Sequence, residues 1–432
     1  MNLNVKVRDK SLDVSRERES VRAIAFYLPQ FHPTQENDEW WGKGFTEWAN
    51  VARARALFPG HYQPHLPADL GFYDLRVPEV RQAQADLALE HGIHGFCYYH
   101  YWFNGRRILE RPFNEVLASG KPDFPFCLCW ANENWTRVWD GGDRHVLLDQ
   151  QYSAADDIDH IRSLIPAFSD PRYIRVDGRP LFLVYRTELL PDPAATAARW
   201  RQAALDAGLP GLYLARVEHF VADIDPVTIG FDAAVEFAPD GARGEIRHRR
   251  ALSRLLTSLG LIPSVFAMSK VVSYAATVAE FSRKPDPAFK RFFGVTPMWD
   301  NSARRKANAN IYVGSTPALY AGWLRSVLDR TLRRHRGDER IVFINAWNEW
   351  GEGCHLEPDQ RWGHAYLEAT RDALASLVQS PTDAAPAPAM KEATGSAKSH
   401  SAMHRLWWHV LELIHDIQAL GGLVFWHLRH RE

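Results

Sequence analysis

The sequence predicts an α/β chain built as a (β/α)8 barrel with a long first βα loop, followed by a linker and a C-terminal amphipathic helix. Three observations carry that expectation. Short apolar runs alternate with helix-like segments from about residue 21 to 378, eight such runs can be counted, and none opens into a G-x-G-x-x-G turn. Strands alternating with helices pair in parallel through right-handed crossovers. A doubly wound sheet is the competing architecture, and the missing glycine-rich turn argues against it.

Residues 1–20 are polar and charged without an apolar core segment, so the chain reads as lacking a secretory signal and as cytoplasmic. The strands are expected at residues 23–28, 94–101, 126–132, 181–185, 212–217, 233–237, 295–299 and 341–346, within a catalytic domain spanning 21–378. Helices are expected between several of them, at 77–91, 154–168, 194–207 and 316–336. The first connection, from Pro29 to about Leu75, is too long for a plain loop and too rich in Trp, His and Tyr to be disordered, so it should fold over the barrel mouth. Residues 379–401 form a Pro/Ala/Ser-rich linker that cannot bury enough apolar surface to fold. Residues 402–432 carry an apolar stripe interrupted by polar groups, which suits an amphipathic docking helix better than a membrane span.

Lys plus Arg (51) nearly cancels Asp plus Glu (52), so no global field draws in nucleic acid. Cys97, Cys127 and Cys129 lie in apolar strand-like runs and, like most buried thiols, read as small hydrophobes; the Cys127/Cys129 spacing is a poor zinc pattern. No metal and no cofactor is expected. The 16 tryptophans are the compositional outlier, and an aromatic face with a polar edge suits a pyranose ring.

In such a barrel the site lies where the strands end. The first end supplies Tyr27, Gln30 and His32, with Trp48 in the loop beyond; the second supplies His100 and Trp102. Trp130, Asn132 and Glu133 follow the third, Glu236 the sixth, and Trp299 and Asp300 the seventh. The eighth runs into Trp347, Asn348, Glu349, Trp350 and Glu352. Glu349 and Glu352, three residues apart among indoles and amides, are the expected catalytic pair: one carboxylate moves a proton while the other handles charge at the reacting centre. The remaining residues named here are expected to bind substrate.

The stretches AFYLPQFHP, NDEWWGKGFTEW, GFCYYHYWFNG, FCLCWANENWTRVWDG and NAWNEWGEGCHLEPD resemble the WbsX-type glycosyltransferases of bacterial surface-polysaccharide loci, a family also described as glycoside hydrolase family 99-like. The resemblance covers roughly residues 21–370 and implies a barrel that acts on glycans by cleavage or transfer. It also implies, from the Asn-Glu-Trp-x-Glu-Gly motif at Asn348–Gly353, a retaining mechanism through an anhydro sugar, with Glu349 as base toward the 2-hydroxyl and Glu352 as acid and base toward the glycosidic oxygen. The chain departs from the family 99 glycosidases at Gly351, where those enzymes carry histidine. The expected partner is an oligo- or polysaccharide, with a lipid-linked glycan at the inner membrane as one form of it. Residues 402–432 would then supply a peripheral membrane or protein contact. A sugar-nucleotide-dependent transferase, hinted at by Asp157-Ile158-Asp159 and Asp223-Ile224-Asp225, and a non-catalytic glycan-binding barrel are the alternatives.

Overall fold

The computed structural model describes residues 21–58, 60–137, 142–242, 258–259, 269–305 and 308–377; the tail at 1–20, the linker at 379–401 and the helix at 402–432 lie outside the described residues. Eight parallel strands close on themselves: β1 (Arg22–Tyr27), β2 (Gly95–Phe103), β3 (Phe126–Trp130), β4 (Arg179–Val184), β5 (Tyr213–Glu218), β6 (Ala233–Glu236), β7 (Arg291–Val295) and β8 (Ile341–Ile344). Each pairs with its neighbour in sequence, and β8 returns to β1 through Ala25↔Ile344, while Ala25 also faces Phe96 of β2. Burial on both faces explains why these strands are apolar runs rather than alternating ones.

The pleat sorts their side chains. Phe26, Tyr99, Phe237 and Phe343 meet inside the barrel, with Phe26 5.4 to 5.6 Å from each of the other three rings. Their strand neighbours point the other way, into the helical layer. That layer includes α3 (Pro78–Glu90), α4 (Arg111–Ser119), α5 (Ala154–Phe168), α6 (Pro193–Asp206), α7 (Tyr274–Arg283), α8 (Pro317–Arg334) and α9 (Ala365–Ser376). Ser153, Asp192 and Thr316 cap α5, α6 and α8 by accepting from backbone N–H groups in the first turn.

One strand lies earlier than expected. The seventh occupies Arg291–Val295 instead of 295–299. Pro297 has no N–H to give a ladder, whereas Phe292 and Phe293 supply the buried rings that a strand needs.

The first βα connection carries two short helices, α1 (Gln35–Trp41) and α2 (Trp48–Arg53), and packs on the segment that follows β8. Ala68 N donates to Pro358 O and Gln360 N to Leu66 O, each at 2.9 Å, and the rings of Trp48 and Trp350 lie 5.6 Å apart. Among the described residues, no helix is long and apolar enough to cross a membrane.

Candidate active site

Beyond β8 the chain makes a small hairpin. Asn348–Glu349 pair antiparallel with Cys354–His355, and a 3-10 turn, Trp350–Glu352, joins them. Gly353 closes the turn at φ +54°, a left-handed conformation that a side chain would strain. Residues three apart eclipse one another in a 3-10 turn. That places the Glu349 and Glu352 carboxylates on one side, and both reach the guanidinium of Arg304, which lies beyond β7.

Arg304 binds three carboxylates. Its Nη1 donates to Glu352 Oε1 at 2.8 Å and its Nη2 to Glu349 Oε2 at 3.0 Å. Its Nε and Nη2 fork onto the two oxygens of Glu47, at 2.5 and 2.9 Å. Gln30 Nε2 also donates to Glu47. Glu47 and Glu349 are buried; Glu352 is half-buried. Burial pushes the Glu349 carboxyl up to about 8; Arg304 opposes that rise, and the charges of Glu352 and Glu47 add to it. Burial works against the Arg304 charge, but Glu47, Glu352 and Glu349 together hold it firmly protonated. One cation facing three acids in a site this dry retains a proton, which belongs to the cluster more than to any one member.

Gly351 is explained by Glu47. A β-carbon at 351 would collide with the Glu47 carboxylate, so a residue with any side chain there and Glu47 in its present place exclude each other. The acid from the first loop fills the space above the motif that a side chain at 351 would take.

Aromatic rings lie beside the cluster. Tyr99 and Tyr101 point inward from β2, and both feel the charge of Glu349. Tyr101 packs edge-on to the half-buried Trp135 (5.2 Å), which lies 6.4 Å from Trp40 of the first loop. Tyr185 stacks on His219 at 4.6 Å. Glu133 pairs with Arg186, whose guanidinium covers Phe220 at 4.6 Å.

Several residues expected to bind substrate lie elsewhere. Tyr27 turns outward and donates to Gln84 Oε1 of α3 (2.7 Å). His100, Trp102 and Trp130 form an outer cluster with α5: His100 Nε2 is 2.9 Å from His160 Nε2, Trp102 Nε1 donates to Asp156 Oδ1 (2.9 Å), and Trp130 packs on His160 and Trp200. Alternation along β2 is the reason, since Tyr99 and Tyr101 take the inward positions. Glu236 likewise lies on the opposite side of β6 from Phe237 and pairs with Lys284 at 3.1 Å. Asn132 exchanges hydrogen bonds with the Arg186 backbone. Asn348 does the same with Leu28, and Trp48 Nε1 donates to Tyr73 O. Trp347 is fully buried against Phe96, and Trp350 Nε1 donates to Glu357. His32 is buried, and burial lowers its pKa to about 4. Trp299 and Asp300 border a separate cavity of about 130 Å³ beside the hairpin. Asp300 there accepts from Gln63 at 2.8 Å and lies 2.6 Å from His61 Nε2; burial opposes its charge, but His61 and the hydrogen bond from Ser302 hold its pKa below the usual range.

Gln30, Glu349 and Glu352 thus come together, and Glu47 and Arg304 are the members that sequence reasoning missed. Glu47 sits in the quoted stretch NDEWWGKGFTEW, but nothing in that run separates it from its acidic neighbours. The four cysteines are buried and free.

The model of the family described as Glycosyltransferase WbsX matches residues 23–370. Two curated relatives, the uncharacterized protein WxcX of two strains of Xanthomonas campestris pv. campestris, are each 46% identical over 360 residues. The match takes in 81% of this chain and 49% of theirs, so the chain spans about half the length of the curated relatives it matches. Among solved structures, a glycoside hydrolase-like protein aligns over 87% of this chain and 97% of its own, at 16% identity and a TM-score of 0.50. A GH99 endo-alpha-mannosidase from Bacteroides thetaiotaomicron aligns over 83% of this chain and 97% of its own, at 15% identity and a TM-score of 0.49. The likeness to the first, at 16% identity, is one of fold.

Proposed function

Because the chain belongs to the WbsX glycosyltransferase family, we propose that it is an enzyme that breaks and remakes glycosidic bonds in bacterial surface polysaccharide, with Glu349 and Glu352 as its catalytic pair. The observation that carries this reading is the shared guanidinium: Arg304 gathers both carboxylates, and Glu47 with them, at the C-terminal end of the barrel. Glu349 takes the proton of a sugar 2-hydroxyl, and that oxygen attacks its own anomeric carbon. The bond to the leaving oxygen breaks as Glu352 protonates it, which leaves a 1,2-anhydro sugar. Glu352, now ionised, deprotonates water or an incoming sugar hydroxyl, which opens the three-membered ring while Glu349 returns its proton to the 2-oxygen. Two inversions retain configuration, and no protein–sugar bond forms, so the carboxylate spacing of ordinary retaining enzymes does not govern this route. Burial makes Glu349 a stronger base than a solvated carboxylate, and a cluster that retains a proton can present one acid and one base together. On this reading Gln30, Glu133, Trp135 and Trp40 contact the sugar, and the acceptor is a soluble or lipid-linked glycan.

The family's name favours a second reading, transfer from a sugar nucleotide. Neither Asp-x-Asp pair supports it. Asp157 is taken up by Thr196 and Arg199, Asp223 by Arg291, and Asp225 caps a short turn. Product analysis by mass spectrometry decides the matter, using the host's surface glycan and its lipid-linked oligosaccharides, with and without added sugar nucleotides. Shortened or rearranged glycans without nucleotide, absent with Glu349→Gln and Glu352→Gln, are expected. Elongation that requires a sugar nucleotide would overturn the mechanism.

A further inference from the structure

Beside the cavity of about 130 Å³, the first loop and the segment after β8 meet in a group that the glycan chemistry does not use. His65 Nδ1 lies 3.0 Å from His355 Nε2, which lies 4.0 Å from Asp359 Oδ2. All three residues are buried, and their three ligand atoms fall within 4.8 Å of one another. We infer that His65, His355 and Asp359 form a binding site for one zinc-class divalent cation that staples the first loop to the segment after β8.

The donor set, two imidazoles and a carboxylate, is one that zinc takes readily. Tetrahedral bonds of about 2.0 Å put neighbouring ligand atoms roughly 3.3 Å apart, between the 3.0 and 4.0 Å of the two pairs given above. The surroundings orient each ligand. His355 Nδ1 is 2.9 Å from Glu357 O and so carries the proton, which leaves Nε2 with its lone pair toward the site. Asp359 Oδ1 accepts from the N–H groups of Arg361 and Trp362, and Oδ2 accepts from the Tyr62 hydroxyl at 3.0 Å. Trp350 stacks on His355 at 3.8 Å and Tyr62 on His65 at 4.2 Å, which fixes both ring planes. His65 also lines the cavity, which gives the fourth position to water.

The inference does not depend on the reaction proposed above. Its test uses the full chain, freed of metal by a chelator and titrated with Co²⁺ and Zn²⁺, with Mg²⁺ as control. One equivalent should bind, with the visible absorption of four-coordinate cobalt and no thiolate charge-transfer band, and Zn²⁺ but not Mg²⁺ should raise the thermal midpoint. His65→Gln should lose that equivalent. Tyr62→Phe, a milder change to a half-buried ring, should weaken Co²⁺ binding about 10- to 100-fold while the far-ultraviolet spectrum is unchanged. No uptake by the folded wild-type chain, a thiolate band, or unchanged affinity in Tyr62→Phe would overturn the assignment, whether or not His65→Gln folds.

Discussion

Glu349 and Glu357 stand on the same short segment after β8, both buried, and burial raises both, to about 8 and about 7. Their partners differ. Glu357 is closed off by neutral donors: Trp350 Nε1 and Gln84 Nε2 at 2.6 Å and the Tyr73 hydroxyl at 2.8 Å. Glu349 shares one cation with two other acids. A carboxyl group whose lone pairs are all occupied by fixed neutral donors joins elements together. One that must divide a single charge and a proton with rivals stays responsive to whatever enters. Burial alone does not separate the two; the company does.

The largest expected effect breaks the comparison if it fails. Glu349→Gln and Glu352→Gln should each lower turnover by about 10²- to 10⁴-fold while the chain stays folded. Glu357→Gln should instead lower stability by about 1–3 kcal/mol in urea titration, because its amide presents a donor where only acceptors fit. Equal turnover losses in folded Glu349→Gln and Glu357→Gln chains would erase the distinction.

The pH profile sharpens it next. The singly protonated cluster supplies both the acid and the base, so kcat/KM should fall as pH rises through about 8 and the shared proton leaves, on the order of tenfold per unit well above that value. Stability should move in the same direction. The folded pKa lies above the unfolded one, so between them the folded state keeps a proton that the unfolded state has lost, and stability falls as pH rises through that window. Glu349→Gln should reduce this decline to the part that Glu357, raised to about 7, contributes, and urea titrations of both proteins between pH 5 and pH 8 would read the difference.

Gly351→Ala forces a methyl group into the Glu47 carboxylate and should cost about 1–3 kcal/mol together with most activity. Unchanged turnover there would mean that Glu47 moves away freely. The smallest change falls on the outer face. Trp102→Phe deletes the bond to Asp156 and should cost about 0.5–1.5 kcal/mol with turnover unaffected.

Much of the scaffold was legible in the chain itself. The strand runs at 23–28, 126–132 and 233–237 start within a residue of the observed strands, because apolar runs bounded by turn residues mark parallel strands well. The seventh was misplaced since Val295–Trp299 is as apolar as its true neighbour, and only Pro297 told against it. Which face a residue takes was harder. GFCYYHYWF has tyrosines in both phases of its alternation, so the pleat could be read but not its direction, and His100 and Trp102 came out on the helical side. That Glu349 and Glu352 fall side by side follows from their spacing. That Arg304, next to Arg305 in a polar run, would be the cation between them does not, because loop geometry alone selects it.

The clamp between Asn348 and the backbone of Leu28 joins positions 320 residues apart. On the ribosome, β1 leaves first and gains β2 early, but its other edge has no partner until β8 emerges. The barrel must therefore be made while one strand edge stands open, and a chaperone that covers such edges would protect it for that interval. Arg304 and Glu47 meet under the same condition, so competence for chemistry and completion of the ring arrive together.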